Sequence, residues 1–484
     1  MLKYFDLLIK NKLVFYLASR YITYFVQFIT SLVIAAVLGP YYMGIWGFIM
    51  LLLQYFQQIH FGIANSFNVL FVHHRDNEQE CNNYIGNSLV LISYLALLVI
   101  SFYIYYTIFG INGFEKYNVD RFIVWICLIA ILQYFVQFFI NLFRVKNQLN
   151  KVAFCQSIIV LLNFICVLIF RGDQLITTLV AGYVVGNLLC MILAFTSGLI
   201  PKWTKVTINY IYQKEILKKG FFLFLYNSCF YFIIISIRTI ISGNYEIEEF
   251  GLFTFSFSLA HAILLLLETL SFVIFPKVIG KLSSKDINEV TMTIYMLRTI
   301  YITSAHLLIY LAMICFPVLI YLMPKYEAAL TSLNLIALSI LMSSCSYGYL
   351  ELMISRNKEK EMALLSFIAL VLNCIFASLL VYLFHVEFSY VILATMITYC
   401  LFTLAVLYRS RIKSGEKSLL SLLSEWFPLR LIVPYCCALS LSLLKEEKFI
   451  FLPFLLYLVC NLSVIGQIRT MALKLLYKPE SVNL

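Results

Sequence analysis

Arg20, Arg238, Arg298 and Glu268 are charged residues set inside long apolar stretches, and their chemistry poses the first question about this chain. An ionisable group in such a stretch is costly enough to need a reason. A guanidinium keeps its charge at any working pH and presents a fork of donors that matches phosphate oxygens. Two readings follow for each arginine. It lines a hydrated cavity and compensates an anionic substrate, or it snorkels to a headgroup layer or joins a structural ion pair. Arg20 lies seven residues past Leu13, about 10 Å along a helix at 1.5 Å per residue. Arg298, near the start of its stretch, and Glu268, near the end of an oppositely directed one, reach the same depth and are candidate partners. Arg238 stands near the far end of its own stretch. His261 and His306 lie nearer the middle of theirs. With Glu268 and Glu351 they are the groups here able to bind and release a proton or another cation, so that any ion coupling would use them, the alternative for the histidines being packing.

Other chemistries lack their residues. No HExxH, GxSxG or phosphate-loop pattern occurs, so no metal, nucleophile or ATP site is expected, and no cofactor. The five aspartates (Asp6, Asp76, Asp120, Asp173, Asp286) are scattered, unlike the clustered carboxylates of a nucleotide-sugar glycosyltransferase. The 13 cysteines stand singly, apart from Cys436 and Cys437, and form no CxxC; they read as small buried hydrophobes.

The elements that must position these groups follow from composition. Of 484 residues, 62% are hydrophobic and 12% charged, against about 25% charged in a soluble domain. A soluble enzyme, a disordered chain and a secreted disulfide scaffold are excluded. The runs are long and unalternating, which favours helices over an outer-membrane barrel. Polar punctuation divides the chain into about fourteen segments, from 13–38 and 42–70 through to 428–444 and 449–473, the second with an early end near Gly62 and an interfacial helix beyond it as the alternative. The first is too long for a signal-peptide core and reads as a span. The last two are short and read as additions to the rest, so that a chain ending at Ser410 is expected to keep some activity.

Orientation follows from charge. Lys and Arg in alternate connections divide 25 to 6, leaving Arg20, Arg238, Arg298 and Arg430 in or beside spans. The positive-inside rule then puts both termini in the cytoplasm. The net charge of +11 is thereby a feature of topology, attracted to anionic lipid at the cytoplasmic face and not a nucleic-acid patch. The longest inner connection, Pro201 to Lys219, separates two stretches that echo each other at an offset of 207 residues: Tyr42-Met43-Gly44-Ile45-Trp46-Gly47-Phe48 and Glu249-Phe250-Gly251-Leu252-Phe253-Thr254-Phe255. Each opens a segment that follows a long span and an outer loop, which points to a duplicated six-helix unit in parallel orientation. The expected organisation is an N-terminal lobe (1–200), a basic loop (201–219), a second lobe (220–410), and a tail of one loop and two helices (411–484). Gly182 and Gly186 form a GxxxG read as helix packing, and Pro317 and Pro434 are expected to kink their helices.

Leu38-Gly39-Pro40-Tyr41-Tyr42-Met43-Gly44-Ile45-Trp46, followed by Phe61-Gly62-Ile63-Ala64-Asn65, resembles the opening of the polysaccharide (O-antigen, Wzx-type) flippases of the multidrug/oligosaccharidyl-lipid/polysaccharide exporter superfamily. Glu249-Phe250-Gly251-Leu252 to Phe275-Pro276-Lys277 resembles their second lobe. The resemblance implies an all-α polytopic protein of about fourteen transmembrane helices: two pseudo-symmetric six-helix lobes around a central cavity, plus two C-terminal helices. It also implies export of an undecaprenyl-pyrophosphate-linked oligosaccharide across the bacterial inner membrane, alongside other polysaccharide-assembly membrane proteins, with Arg20 the cavity cation that fits the family best. Two relatives within the superfamily stay open, a cation-coupled multidrug antiporter and a peptidoglycan-precursor flippase. The first span holds no aspartate, which weighs against the antiporter. From another class, a membrane polysaccharide polymerase would show large outer loops, whereas those here are about 3 to 10 residues long.

Overall fold

Without water to satisfy them, backbone amides in apolar runs close their hydrogen bonds internally, and the only element this sequence then permits is the helix. A computed structural model describes residues 12–111, 115–284, 286–410 and 427–477; for 12–17, 173, 203, 264–277, 279 and 467–477 it gives the backbone course only. No strand occurs among the described residues. Eleven helical stretches among them are long and apolar enough to cross a membrane, and the chain is a multi-pass membrane protein. It divides into two compact units, one extending to Ser228 and taking in Tyr245–Gly251, the other formed by Cys229–Asn244 and the chain from Leu252 on.

The first unit begins with α1 (Lys12–Gln58), whose 47 residues are broken at Gly39 (φ 70°, ψ 173°), just before Pro40. A helix of that length would extend about 70 Å, more than twice a bilayer core, so its arms make two passes. The expected segments 13–38 and 42–70 are thus one bent element, and the second stops at Gln58. After a left-handed turn at Phe61 and Gly62, α2 (Ile63–His73) runs separately. There follow α3 (Glu78–Phe109), α4 (Ile123–Val145), α5 (Leu149–Ile169), α6 (Gly172–Thr196) and the start of α7 (Tyr210–Asn244). The Asn77 side chain caps α3 by accepting from the Glu80 N–H at 3.2 Å. Gly182 and Gly186 on α6 face Asn163 and Ile159 of α5; a Cβ on either would come within 2.8 and 2.6 Å of those side chains. Packing accounts for that GxxxG.

The echoed stretches meet inside this unit. A Cβ on Gly44 would stand 2.2 Å from the Ile247 carbonyl oxygen, and one on Gly251 would stand 1.8 Å from the Pro40 carbonyl oxygen. Positions 40 and 247, like 44 and 251, are each 207 residues apart. Each copy therefore offers its glycine to the equivalent carbonyl of the other, the reciprocity of a local two-fold contact. Phe48 stacks on Tyr117 at 4.2 Å and meets Phe250 edge-on.

The connection after α6 is shorter than 201–219, because α7 already starts at Tyr210 and carries Lys214, Lys218 and Lys219. What precedes α7 is strapped to α3. Asn83 accepts from the Thr207 N–H at 2.8 Å; Asn87 accepts from Asn209 N–H at 3.1 Å and donates to the Thr207 carbonyl at 2.9 Å. Two asparagines four apart lie on one helix face, so together they hold an extended strand of chain.

The second unit contains the rest of α7, α8 (Ile247–Leu282, from Leu252), α9 (Ile287–Leu322), α10 (Leu330–Ser344), α11 (Tyr349–Ser355), α12 (Glu359–Ser378), α13 (Leu393–Arg409), α14 (Leu429–Leu443) and α15 (Leu452–Tyr477). The helices run on through Pro317 and Pro434. The last two are not mere additions. Tyr457 of α15 is fully buried and donates to the Thr303 carbonyl of α9 at 2.8 Å; its ring lies parallel to that of His306. Asn461, where α15 departs from helical geometry, donates to the Arg430 carbonyl. Residues 411–426 of the expected tail loop lie outside the described residues.

Candidate functional site: an amide-lined cavity in the first unit

Polar side chains in apolar helices gather at one place in the first unit. Gln133 and Gln137 are one turn apart on α4 and therefore share a face. Gln57 and Gln58 end the second arm of α1, Gln156 lies on α5 and Asn187 on α6; together with Arg20 on the first arm they line a cavity of about 440 Å³. That is within the ~300–1,000 Å³ of small-ligand pockets. Gln137 stands eight residues before the end of α4 and Gln156 seven after the start of α5, about 10–12 Å from the same end of the unit at 1.5 Å per residue.

The walls are fixed from behind. The Tyr134 hydroxyl donates to the Phe56 carbonyl at 2.7 Å, tying α4 to the end of α1. Gln57 Nε2 donates to Gln133 Oε1 at 3.1 Å, and His60 Nδ1 accepts from the Gly62 N–H at 3.0 Å. Gly62 needs its positive φ for this turn, and a Cβ there would also lie 2.8 Å from Phe224 Cβ on α7. Arg20 places its guanidinium over the Tyr24 ring at 4.4 Å and donates to the Tyr24 hydroxyl. One turn later, Thr23 bonds Ser157 of α5 at 2.6 Å. Arg20 is part-exposed. Asn187, 1% exposed, donates to the Tyr183 carbonyl at 2.7 Å, while its Oδ1 has no partner among the described residues. Among the described residues, no carboxylate lines this cavity.

The other singled-out residues are in the second unit and serve different environments. Arg298 is buried and donates to the carbonyls of Cys345 (2.5 Å) and Tyr347 (3.1 Å), with its guanidinium 4.2 Å from the Tyr349 ring centroid. It thus sits at the break between α10 and α11, where helix-end carbonyls lack intrahelical partners. Glu351 accepts from the Gly348 N–H at the opposite lip of that break. A Cβ on Gly348 (φ +88°) would touch Arg298 Cγ. Arg238, 2% exposed, lies over the Phe257 ring at 4.8 Å, and the same ring contacts His261 at 4.0 Å. His306 Nδ1 pairs with the Tyr310 hydroxyl at 3.0 Å. The Glu268 side chain, expected beside Arg298, lies outside the described residues.

Of the expected cavity residues whose side chains are described, Arg20 alone lines this cavity. The neutral amides around it were not singled out from the sequence. Their signal was present, as a Gln-Gln pair and a Gln-x-x-x-Gln repeat inside apolar helices, but neutral amides in a membrane more often bond neighbouring helices than ligands.

A family model described as "Polysaccharide biosynthesis protein" matches residues 9–282, more than half of the chain. The chain belongs to this family. The matched stretch includes every residue of the amide-lined cavity and both copies of the echoed motif. No curated protein matches significantly. Among solved structures, the chain resembles the lipid II flippase MurJ in an inward closed conformation (TM-score 0.69, 14% identity, 95% of this chain and 100% of the other). It also resembles a multidrug resistance MATE family transporter of the MOP superfamily, inward-facing (TM-score 0.66, 11% identity, 80% and 94%). The outward-facing conformation of a transporter so described matches with a TM-score of 0.58 at 15% identity (83% and 95%). At such identities the likeness is one of fold alone.

Proposed function

We propose that this protein moves an undecaprenyl-pyrophosphate-linked oligosaccharide from the inner to the outer leaflet of the bacterial cytoplasmic membrane, for O-antigen, capsule or exopolysaccharide synthesis, by alternating access. The observation that carries the reading is Arg20 on the wall of a polar cavity that lies about two helical turns inside the membrane domain and has no carboxylate among the described residues of its lining. A pyrophosphate drawn from the headgroup layer needs a cation at that depth, and a guanidinium supplies paired donors. Membership of a polysaccharide biosynthesis family supports a transported group that belongs to polysaccharide assembly. A cation-coupled drug exporter would want an acidic residue where this cavity has amides. In this reading both termini are cytoplasmic, the lobes join through the strapped connection before α7, and Glu351, His261 and His306 are packing residues before they are coupling groups.

The test uses two substitutions at one position. Arg20→Ala should abolish surface-glycan export at normal membrane protein level, with lipid-linked oligosaccharide accumulating on the cytoplasmic leaflet. Arg20→Lys should restore only part, because an ammonium keeps the charge but loses the fork; one charge-assisted contact contributes about 1.5–3 kcal/mol. A headgroup-snorkelling role predicts a silent Arg20→Lys and a low protein level for Arg20→Ala. Full export by both variants would remove Arg20 from the mechanism.

A further inference from the structure

α7 is longer than a membrane span needs. Its 35 residues extend about 52 Å, about 20 Å more than a bilayer core. Its lysines and its one glutamate, Lys214, Glu215, Lys218 and Lys219, all fall before Gly220, so the overhang is at this end, at the depth of the lipid headgroups. The outward face there is mixed. Ile216 and Gly220 are buried, while Tyr210 and Ile211 are 71% and 68% exposed and Leu217 and Phe221 36% and 42%. Lys214 and Lys218 are one turn apart and therefore share a face. Both stand exposed among these apolar side chains.

The nearby carboxylates are turned the other way. Glu215 accepts from the Tyr84 hydroxyl of α3 at 2.8 Å, and Glu80 of α3 accepts from the Tyr212 hydroxyl at 3.1 Å. That hydroxyl also accepts from Asn83 Nδ2 at 3.1 Å, on the asparagine that holds Thr207. The acidic groups are thus tied into the seam between α3 and α7, and neither Lys214 nor Lys218 has an ion-pair partner among the described residues. Two ammonium groups one turn apart repel each other, and an anion shared between them reverses the sign of that interaction. Their surroundings are apolar, so the anion must bring hydrocarbon with it. A negatively charged phospholipid supplies both, whereas an acidic protein would set the exposed apolar side chains against a polar surface. We infer that Lys214 and Lys218 form a clamp for the phosphate of an anionic membrane phospholipid, whose acyl chains lie along Ile211, Leu217 and Phe221. The clamp holds the connection before α7, already strapped to α3, at the membrane surface, and it does not depend on what the protein transports.

The experiment titrates the full chain in detergent with phosphatidylglycerol or with phosphatidylcholine of the same acyl chains, and reads the lipid retained by native mass spectrometry. Phosphatidylglycerol is expected to bind about fivefold or more tightly, the scale of one lysine at an anionic surface, and this preference should shrink in about 0.5 M salt. Replacing both lysines by glutamine (Lys214→Gln with Lys218→Gln) should remove most of the preference, and replacing both by arginine should keep it. Lys146→Gln with Lys151→Gln removes the same charge from lysines that lie over the Phe71 and Phe143 rings, and should leave the preference unchanged. The wild-type ratio and the arginine variant carry the test even where the glutamine variant folds poorly. Equal binding of the two lipids by the wild-type chain would overturn the clamp. An equal loss on neutralising Lys146 and Lys151 would reduce the preference to general surface charge and overturn it as well. Tighter binding of a polyglutamate peptide than of phosphatidylglycerol would assign the face to an acidic protein instead.

Discussion

Three arginines that look alike in the sequence have three different neighbourhoods. Arg20 is part-exposed at a cavity, Arg238 is buried against Phe257, and Arg298 binds the carbonyls of a helix break. The difference between the first and the last is testable without knowing the substrate. Arg298→Met removes charged donors from two carbonyls and leaves those acceptors buried, at a cost of about 2–5 kcal/mol. We expect a clearly lowered unfolding temperature in detergent and reduced membrane accumulation. Arg20→Met breaks no such bond to the backbone and should change the unfolding temperature little. Equal stability of both variants would show that Arg298 does not hold the break together.

At the scale of elements, packing adds what length alone does not carry. The short C-terminal helices read as dispensable, yet α15 places Tyr457 against Thr303 and His306, and Tyr435 of α14 is buried. A chain ending at Ser410 would expose that aromatic cluster and strip the Thr303 carbonyl of its donor. Such a chain is expected to accumulate several-fold less in the membrane and to unfold at lower temperature than the full chain. Normal level and stability of the truncated chain would make α14 and α15 accessory after all. The basic connection after α6 likewise read as a loop as far as Lys219, whereas its last ten residues are helical and the part before them is held by Asn83 and Asn87. Side-chain amides bonding an extended backbone leave no periodicity for a sequence pattern to report.

At the scale of the whole molecule, charge makes a prediction that the fold does not. The 25-to-6 division of Lys and Arg predicts both termini on the cytoplasmic side, because positively charged loops resist translocation. A cytoplasm-active reporter fused after Leu484 should be active, and one inserted in the Tyr245–Glu246 connection should not. Activity of the second fusion, or silence of the first, would demand another number of passes. Composition also settles the class of molecule, since a chain with 62% hydrophobic and 12% charged residues has too little polar surface to be soluble.

The sequence by itself determined the elements and the echo. Apolar runs bounded by polar residues must be helices where water is absent, and that argument needs no tertiary contact. Gly44 and Gly251 were legible as equivalent positions from their offset alone, although only the packed chain brings each against the other's carbonyl partner. Tertiary structure decided the site. Gln57, Gln133, Gln156 and Asn187 come from four helices separated by up to 130 residues, and nothing local distinguishes them from amides that glue helices together. Burial and partner choice distinguish them, and both are properties of the assembled helices: which faces meet, and whether an amide's oxygen finds a donor there. The same reason separates Arg298 from Arg20, since a guanidinium's role is set by the acceptors that packing brings within its reach.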